Sequence, residues 1–165
     1  MKKALIIALC CISVLFAACK KEKANEKFIG NYKGECVIEG TFSYENPLSP
    51  GQYVVETIKE DSPMEVSISA GAADNKVVMR MKADDFDETY TVVGTVDGGM
   101  IAFEEFSIEN IEGLNFTAAI VMAGALTGNL LTLTGPFAGE GAITIMDHSI
   151  PFSTEGDMTC VLNKQ

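Results

Sequence analysis

Hydrophobic and polar residues alternate along much of this chain. Tyr32, Cys36, Ile38, Phe42 and Tyr44 fall on one parity, and Lys33, Glu35, Glu39, Thr41 and Ser43 on the other. A period of two puts the two sets on opposite faces of a strand, one apolar and one wet. Met64, Val66, Ile68 and Ala70 repeat the pattern against Glu65, Ser67 and Ser69, and so do Val77, Met79 and Met81 against Val78, Arg80 and Lys82. Rows of this kind are half-buried antiparallel strands.

Turn residues divide the rows at short intervals: Asn46-Pro47 to Pro50-Gly51, Glu60 to Pro63, Gly71 to Asn75, Asp84 to Glu88, Asp97-Gly98-Gly99, Gly128-Asn129 and Asp147-His148. Each cluster holds residues that favour turn backbone geometry. The rhythm predicts an all-β domain of about eight to ten strands, and no connection is long enough to cross over as a helix. An antiparallel up-and-down barrel follows. Ala118 to Leu126 is apolar on both parities and reads either as a short buried helix or as a strand buried on both faces.

The N-terminus follows a different pattern. Lys2 and Lys3 precede an apolar run from Ala4 to Phe16, about 13 residues, which is the length of a signal-peptide core. As a helix it reaches only about 20 Å, against a bilayer core of about 30 Å. Leu15-Phe16-Ala17-Ala18-Cys19 then resembles the bacterial lipobox, with Phe16 where Leu is the commoner residue. The resemblance implies lipidation at Cys19 and cleavage before it, so the membrane is met through an N-terminal lipid. Two or more acyl chains anchor stably where one does not. Lys20 to Lys27 has no apolar periodicity and reads as a solvated, Lys-rich tether. The expected organisation is a lipoprotein signal peptide over 1–18, a lipidated cysteine with its tether over 19–27, and one barrel domain over 28–165.

Charge reverses after the tether. From Phe28 onward six Lys and Arg stand against 21 Asp and Glu, a formal charge of −15. That balance repels phosphate backbones and excludes nucleic acid as an expected partner.

The lipobox, the short Lys-rich tether, an opening Phe28-Ile29-Gly30-Asn31-Tyr32-Lys33-Gly34, a late Leu126-Thr127-Gly128-Asn129-Leu130-Leu131-Thr132-Leu133 and a final Val161-Leu162-Asn163-Lys164 together resemble the small lipocalin-like, or calycin-like, lipoproteins of Bacteroidota. The chain has no tryptophan, so it lacks the Gly-x-Trp of true lipocalins. The resemblance implies a closed antiparallel barrel holding a small hydrophobic molecule. It also bears on address: surface export in such bacteria goes with acidic residues after the lipidated cysteine, and here Lys20 and Lys21 follow. An outer-membrane lipoprotein facing the periplasm is the expectation.

Closure has a physical reason as well, since joining the first strand to the last removes two exposed edges. Those strands then run antiparallel, and each carries a cysteine on its apolar parity: Cys36 with Tyr32 and Ile38, Cys160 with Met158 and Leu162. In an oxidising envelope compartment the pair forms a disulfide; otherwise two buried thiols act as small hydrophobes. The sequence leaves both readings open.

Catalytic motifs are scarce. The one histidine, His148, lies between Asp147 and Ser149 before Pro151, and reads as a surface turn residue. Neighbours in a turn do not converge as a triad does. There is no Gly-x-Ser-x-Gly, phosphate-binding glycine loop or Cys-x-x-Cys, so no enzyme activity and no cofactor are expected. Asp84, Asp85, Asp87 and Glu88 are a weak candidate for Ca²⁺, without the order of an EF-hand loop. No metal is expected.

Two functions stay in view. In the first, the inward row, with Tyr32, Ile38, Phe42, Met79, Met81, Tyr90, Val92, Phe103 and Phe116, lines a pocket for a small hydrophobic ligand. In the second, side chains fill the barrel, and the domain meets a protein or glycan through its acidic surface. A cavity of about 300 Å³ or more separates the two readings.

Overall fold

The computed structural model describes residues 23–83, 89–109, 115–145 and 148–165. Cys19, the preceding run and the Asp84 to Glu88 cluster lie outside the described residues.

The described chain is an antiparallel barrel of ten strand segments: β1 (Gly30–Glu45), β2 (Tyr53–Ala70), β3 (Lys76–Ala83), β4 (Tyr90–Asp97), β5 (Met100–Phe103), β6 (Phe106–Glu109), β7 (Asn115–Ile120), β8 (Ala123–Thr127), β9 (Leu130–Ile145) and β10 (His148–Lys164). Eight of them close a ring in the order β1, β2, β3, β4, β5, β8, β9, β10, with β10 returning to β1. The remaining two extend the wall, β7 on the far half of β9 and β6 on β7.

β7 and β8 follow a single register against β9, from Asn115↔Ala142 through Ile120↔Phe137 to Ala123↔Thr134. They are one strand broken at Val121 and Met122. Thus the Ala118 to Leu126 segment is strand, with Ala118 and Ile120 buried inward and Val121 exposed at the break. β5 and β6 likewise continue one another. Their register against β8 and β7 slips by one residue, from Met100↔Ala125 to Phe106↔Ile120. A slip of this kind is the mark of a bulge, which bends the strand.

Pro63 is the clearest correction to the sequence reading. Glu60 to Pro63 is not a turn but the middle of β2, paired with Glu35 to Ile38 of β1. β3 pairs with β2 only from Met64 onward. The residue lacking an N–H therefore sits where the second ladder ends, a position that tolerates proline.

The tether also ends earlier than its composition suggests. Residues 23–28 pack against one end of the barrel. Asn25, 2% exposed, receives from neither side at its Oδ1 but donates Nδ2 to Lys76 O at 2.7 Å, and its backbone N–H donates to Asp74 O at 3.3 Å. Lys23 pairs with Asp74 at 2.9 Å. A 3-10 turn over Glu26–Phe28 then drives the Phe28 ring, fully buried, into the barrel. Tyr32 donates its hydroxyl to Phe28 O at 2.7 Å and fixes the plug from inside.

Above the plug, large inward residues fill the interior: Val66, Ile68, Val77, Met79, Val92, Ile101, Phe103, Met122, Leu131, Leu133 and Leu162 are all buried. Gly94 belongs to the same row, and a Cβ there would lie 2.7 Å from the Phe103 ring. Its bare Cα is the space that the ring occupies.

Along the seam, β1 and β10 pair from Tyr32↔Lys164 to Tyr44↔Phe152. Cys36 and Cys160 are directly opposed in that register and are joined as a disulfide. The bond closes a loop with a sequence separation of 124. In the chain-entropy model such a loop contributes about 4 to 5 kcal/mol. The C36A/C160A double variant is expected to lose about 2 to 5 kcal/mol in denaturant unfolding, with the wild-type falling by the same amount in reductant.

Burial raises the Tyr32 phenol above the ordinary tyrosine value, because desolvation penalises the phenolate. A folded-state pKa above the unfolded one means the contribution is full below about pH 10 and is lost as pH rises through the raised value. Unfolding midpoints measured from about pH 9 to 12 should fall more steeply for wild-type than for Tyr32→Phe. That variant should itself lose about 1 kcal/mol at pH 7 with its hydrogen bond.

Candidate ligand-binding cavity

The end opposite Phe28 is hollow. A cavity of about 560 Å³ opens there. Its seam wall comes from β1 and β10: Cys36, Ile38 and Phe42 face Phe152, Thr154 and Met158. Ile58, Glu60, Ser62 and Met64 of β2 continue it on one side, and Met81 and Tyr90 stand at the ends of β3 and β4. Phe106 and Ile108 of β6, Phe116, Ala118 and Ile120 of β7, and Phe137 of β9 complete the circuit.

Each of these residues takes its place from strand parity. Phe116 and Phe152 both pair with Gly141, the strand position between them. Because that position lacks a side chain, the two rings stack across it, with centroids 5.7 Å apart and planes 16° from parallel. Phe152 in turn meets Phe42 at 4.7 Å, and Phe42 meets Tyr44 at 5.7 Å. The result is a ladder of aromatic rings along one wall. Such pairs contribute about 0.5 to 1.5 kcal/mol each beyond the area they bury, so the wall is held in shape from within.

Polar groups are few. Thr154 donates its hydroxyl to Thr41 O at 2.9 Å, so its hydrogen-bonding capacity is directed into the wall. Ser62 Oγ lies 3.5 Å from Pro63 O, and Glu60 is exposed. Met64, Met81 and Met158 supply unbranched, adaptable surface at separate points of the lining. Met64 Sδ lies 3.3 Å from Cys36 Sγ, a contact between sulfurs with no thiol hydrogen, since Cys36 is in the disulfide.

The wall is also discontinuous. Among the described residues, β2 has only β1 as a neighbour over Tyr53 to Pro63, and β6 has only β7. The cavity is therefore bounded on this side by two strand edges rather than by a ladder.

Of the residues assigned to a pocket from sequence, Ile38, Phe42, Met81, Tyr90 and Phe116 line the cavity. Tyr32, Met79, Val92 and Phe103 do not; they lie in the filled half beside Phe28. Parity assigns all nine inward but carries no information on height along the barrel. Ile58, Glu60, Ser62, Met64, Phe106, Ile108, Ala118, Ile120, Phe137, Phe152, Thr154 and Met158 line it without having been assigned to the pocket from sequence. They share the inward parity of their strands, and distance from the plugged end would have found them. His148 opens β10, exposed, opposite Ile145.

No protein-family model and no curated protein matches the sequence. Among solved structures the chain is similar to Rv2717c from M. tuberculosis, at 11% identity and a TM-score of 0.34, over 86% of this chain and 97% of that one. It is also similar to a protein of unknown function of the DUF3598 family from Nostoc punctiforme PCC 73102. There the identity is 11% and the TM-score 0.31, over 84% of this chain and 48% of the other. The chain thus spans about half the length of the DUF3598 protein.

Proposed function

We propose that this protein is a cell-envelope lipoprotein of the calycin-like kind, whose barrel binds a small hydrophobic ligand. The observation that carries the reading is the half-filled interior: a cavity of about 560 Å³ walled by Phe, Ile and Met above a solid, plugged core. That volume lies within the usual range for ligand sites, about 300 to 1,000 Å³. The alternative, an interaction module with a filled barrel, accounts for only one half of the interior.

Binding rather than chemistry is the reading for the site. Thr154 is committed to the Thr41 carbonyl, and Glu60 and Ser62 project from one strand two residues apart. The anchor is Cys19, four residues before Lys23, a span of at most about 14 Å. Lys23 is tied to Asp74 at the plugged end. With lipid on Cys19, the plugged end faces the membrane and the mouth faces away from it, so ligand enters from the aqueous side. The Lys residues after Cys19 support the periplasmic face of the outer membrane as the address.

Native mass spectrometry of the protein purified from its own membranes, followed by lipid extraction, tests this reading, together with titration of the apolar fluorophore N-phenyl-1-naphthylamine. The expected result is a bound mass and saturable probe binding. Ala118→Phe, which adds a ring at a buried position of the cavity wall, should abolish both while leaving a cooperative unfolding transition. A clean apo mass without probe binding would overturn the proposal.

A further inference from the structure

The charge inside the mouth points to the class of ligand. Among the described residues that line the cavity, Glu60 is the one carboxylate and none is Lys, Arg or His. It stands on the inward row of β2 with Ile58 and Ser62, opposite Ile38 of β1. The neighbouring cation turns the other way: Lys59 is on the outward row, in an ion pair with Glu39. Arg80 and Lys82 are on the outward row of β3, while Lys27 and Lys164 sit at the plugged end, where Lys164 donates to Lys27 O.

A ligand whose apolar body fills the phenylalanine-lined interior brings its polar end to Glu60 and Ser62. An ionised carboxylate accepts hydrogen bonds and donates none. An alcohol, amide or ammonium group satisfies it; a second anion meets like charge with no cation to offset it. The field of a domain with a formal charge of −15 acts in the same direction.

We infer that the cavity selects uncharged or cationic amphiphiles and rejects fatty-acid-type anions of equal chain length, with Glu60 as the residue that discriminates. This rests on the ligand-binding reading above. It goes further in naming the head-group chemistry that the mouth accepts.

The test uses the purified protein at pH 8, loaded with N-phenyl-1-naphthylamine and challenged with dodecanol, dodecylamine or laurate, which share a chain length and differ in charge. Dodecanol and dodecylamine should displace the probe at concentrations at least about tenfold below laurate, as expected for a like-charge penalty at the rim of an apolar cavity. In Glu60→Gln the ratio of laurate to dodecanol should fall toward one, and dodecylamine should weaken. Asp61→Asn removes the same charge from the outward face of the same strand and should leave the wild-type ratios in place. Glu60 is exposed, so its replacement leaves the core intact. Laurate competing as well as dodecanol in wild-type, or an unchanged ratio in Glu60→Gln, would overturn the inference alone. A wild-type protein that binds neither the probe nor any of the three overturns the ligand-binding reading, and this inference with it.

Discussion

The structure depends on one constraint: the first and last long strands must find each other. A meander of strands whose inner faces are this apolar has two edges, and each edge carries unpaired backbone groups. Pairing β1 with β10 over thirteen registered positions satisfies both at once. It also turns every inward row toward a common axis. A ring of eight strands leaves an interior just wide enough to be filled by side chains or to hold one small molecule. This barrel is filled at the end plugged by Phe28 and hollow at the other.

The two halves are not independent. The packed half, with Tyr32 bonded to the plug and Phe103 seated over Gly94, forms a rigid floor for the cavity. The aromatic ladder from Tyr44 to Phe116 then braces one wall without occupying the centre. On the opposite side, among the described residues, the ladders give way to edges of β2 and β6 that have one neighbour each. An apolar space kept open needs such a division of labour, because side chains collapse into any gap that the backbone does not hold apart.

Much of this was legible in the chain. The two-residue period marks the strands and the inward rows of β1, the later half of β2, β3 and the end of β10 correctly, because one-sided burial leaves a direct trace in residue order. Closure followed from the same reasoning, and the facing cysteines from closure. What the chain could not show was height along the barrel. Met79 and Met81 look alike in sequence, two residues apart on the same row; one is sealed in the core and the other lines the cavity. The distinction depends on the registers of neighbouring strands, which no local pattern encodes. Glu60 to Pro63 misled for the opposite reason: turn-like composition there reflects a strand with one neighbour, and the same stretch supplies the acid at the mouth. Residues 23–28 misled because Lys and Glu on a capping segment resemble a free tether, although Asn25 and Phe28 are the residues that dock it.

The disulfide has a mechanical consequence. Cys36 and Cys160 divide the seam unevenly, leaving the rows from Tyr32 to Glu35 on the plug side and those from Val37 to Tyr44 on the cavity side. Tension applied at the N-terminus can peel the plug and the first rows of β1, but it then reaches a covalent crossing into β10. Beyond that point the two strands part no further than the bond allows. The cavity thus lies within a covalent loop, and a pull at the N-terminus frays the floor of the barrel before it reaches the chamber.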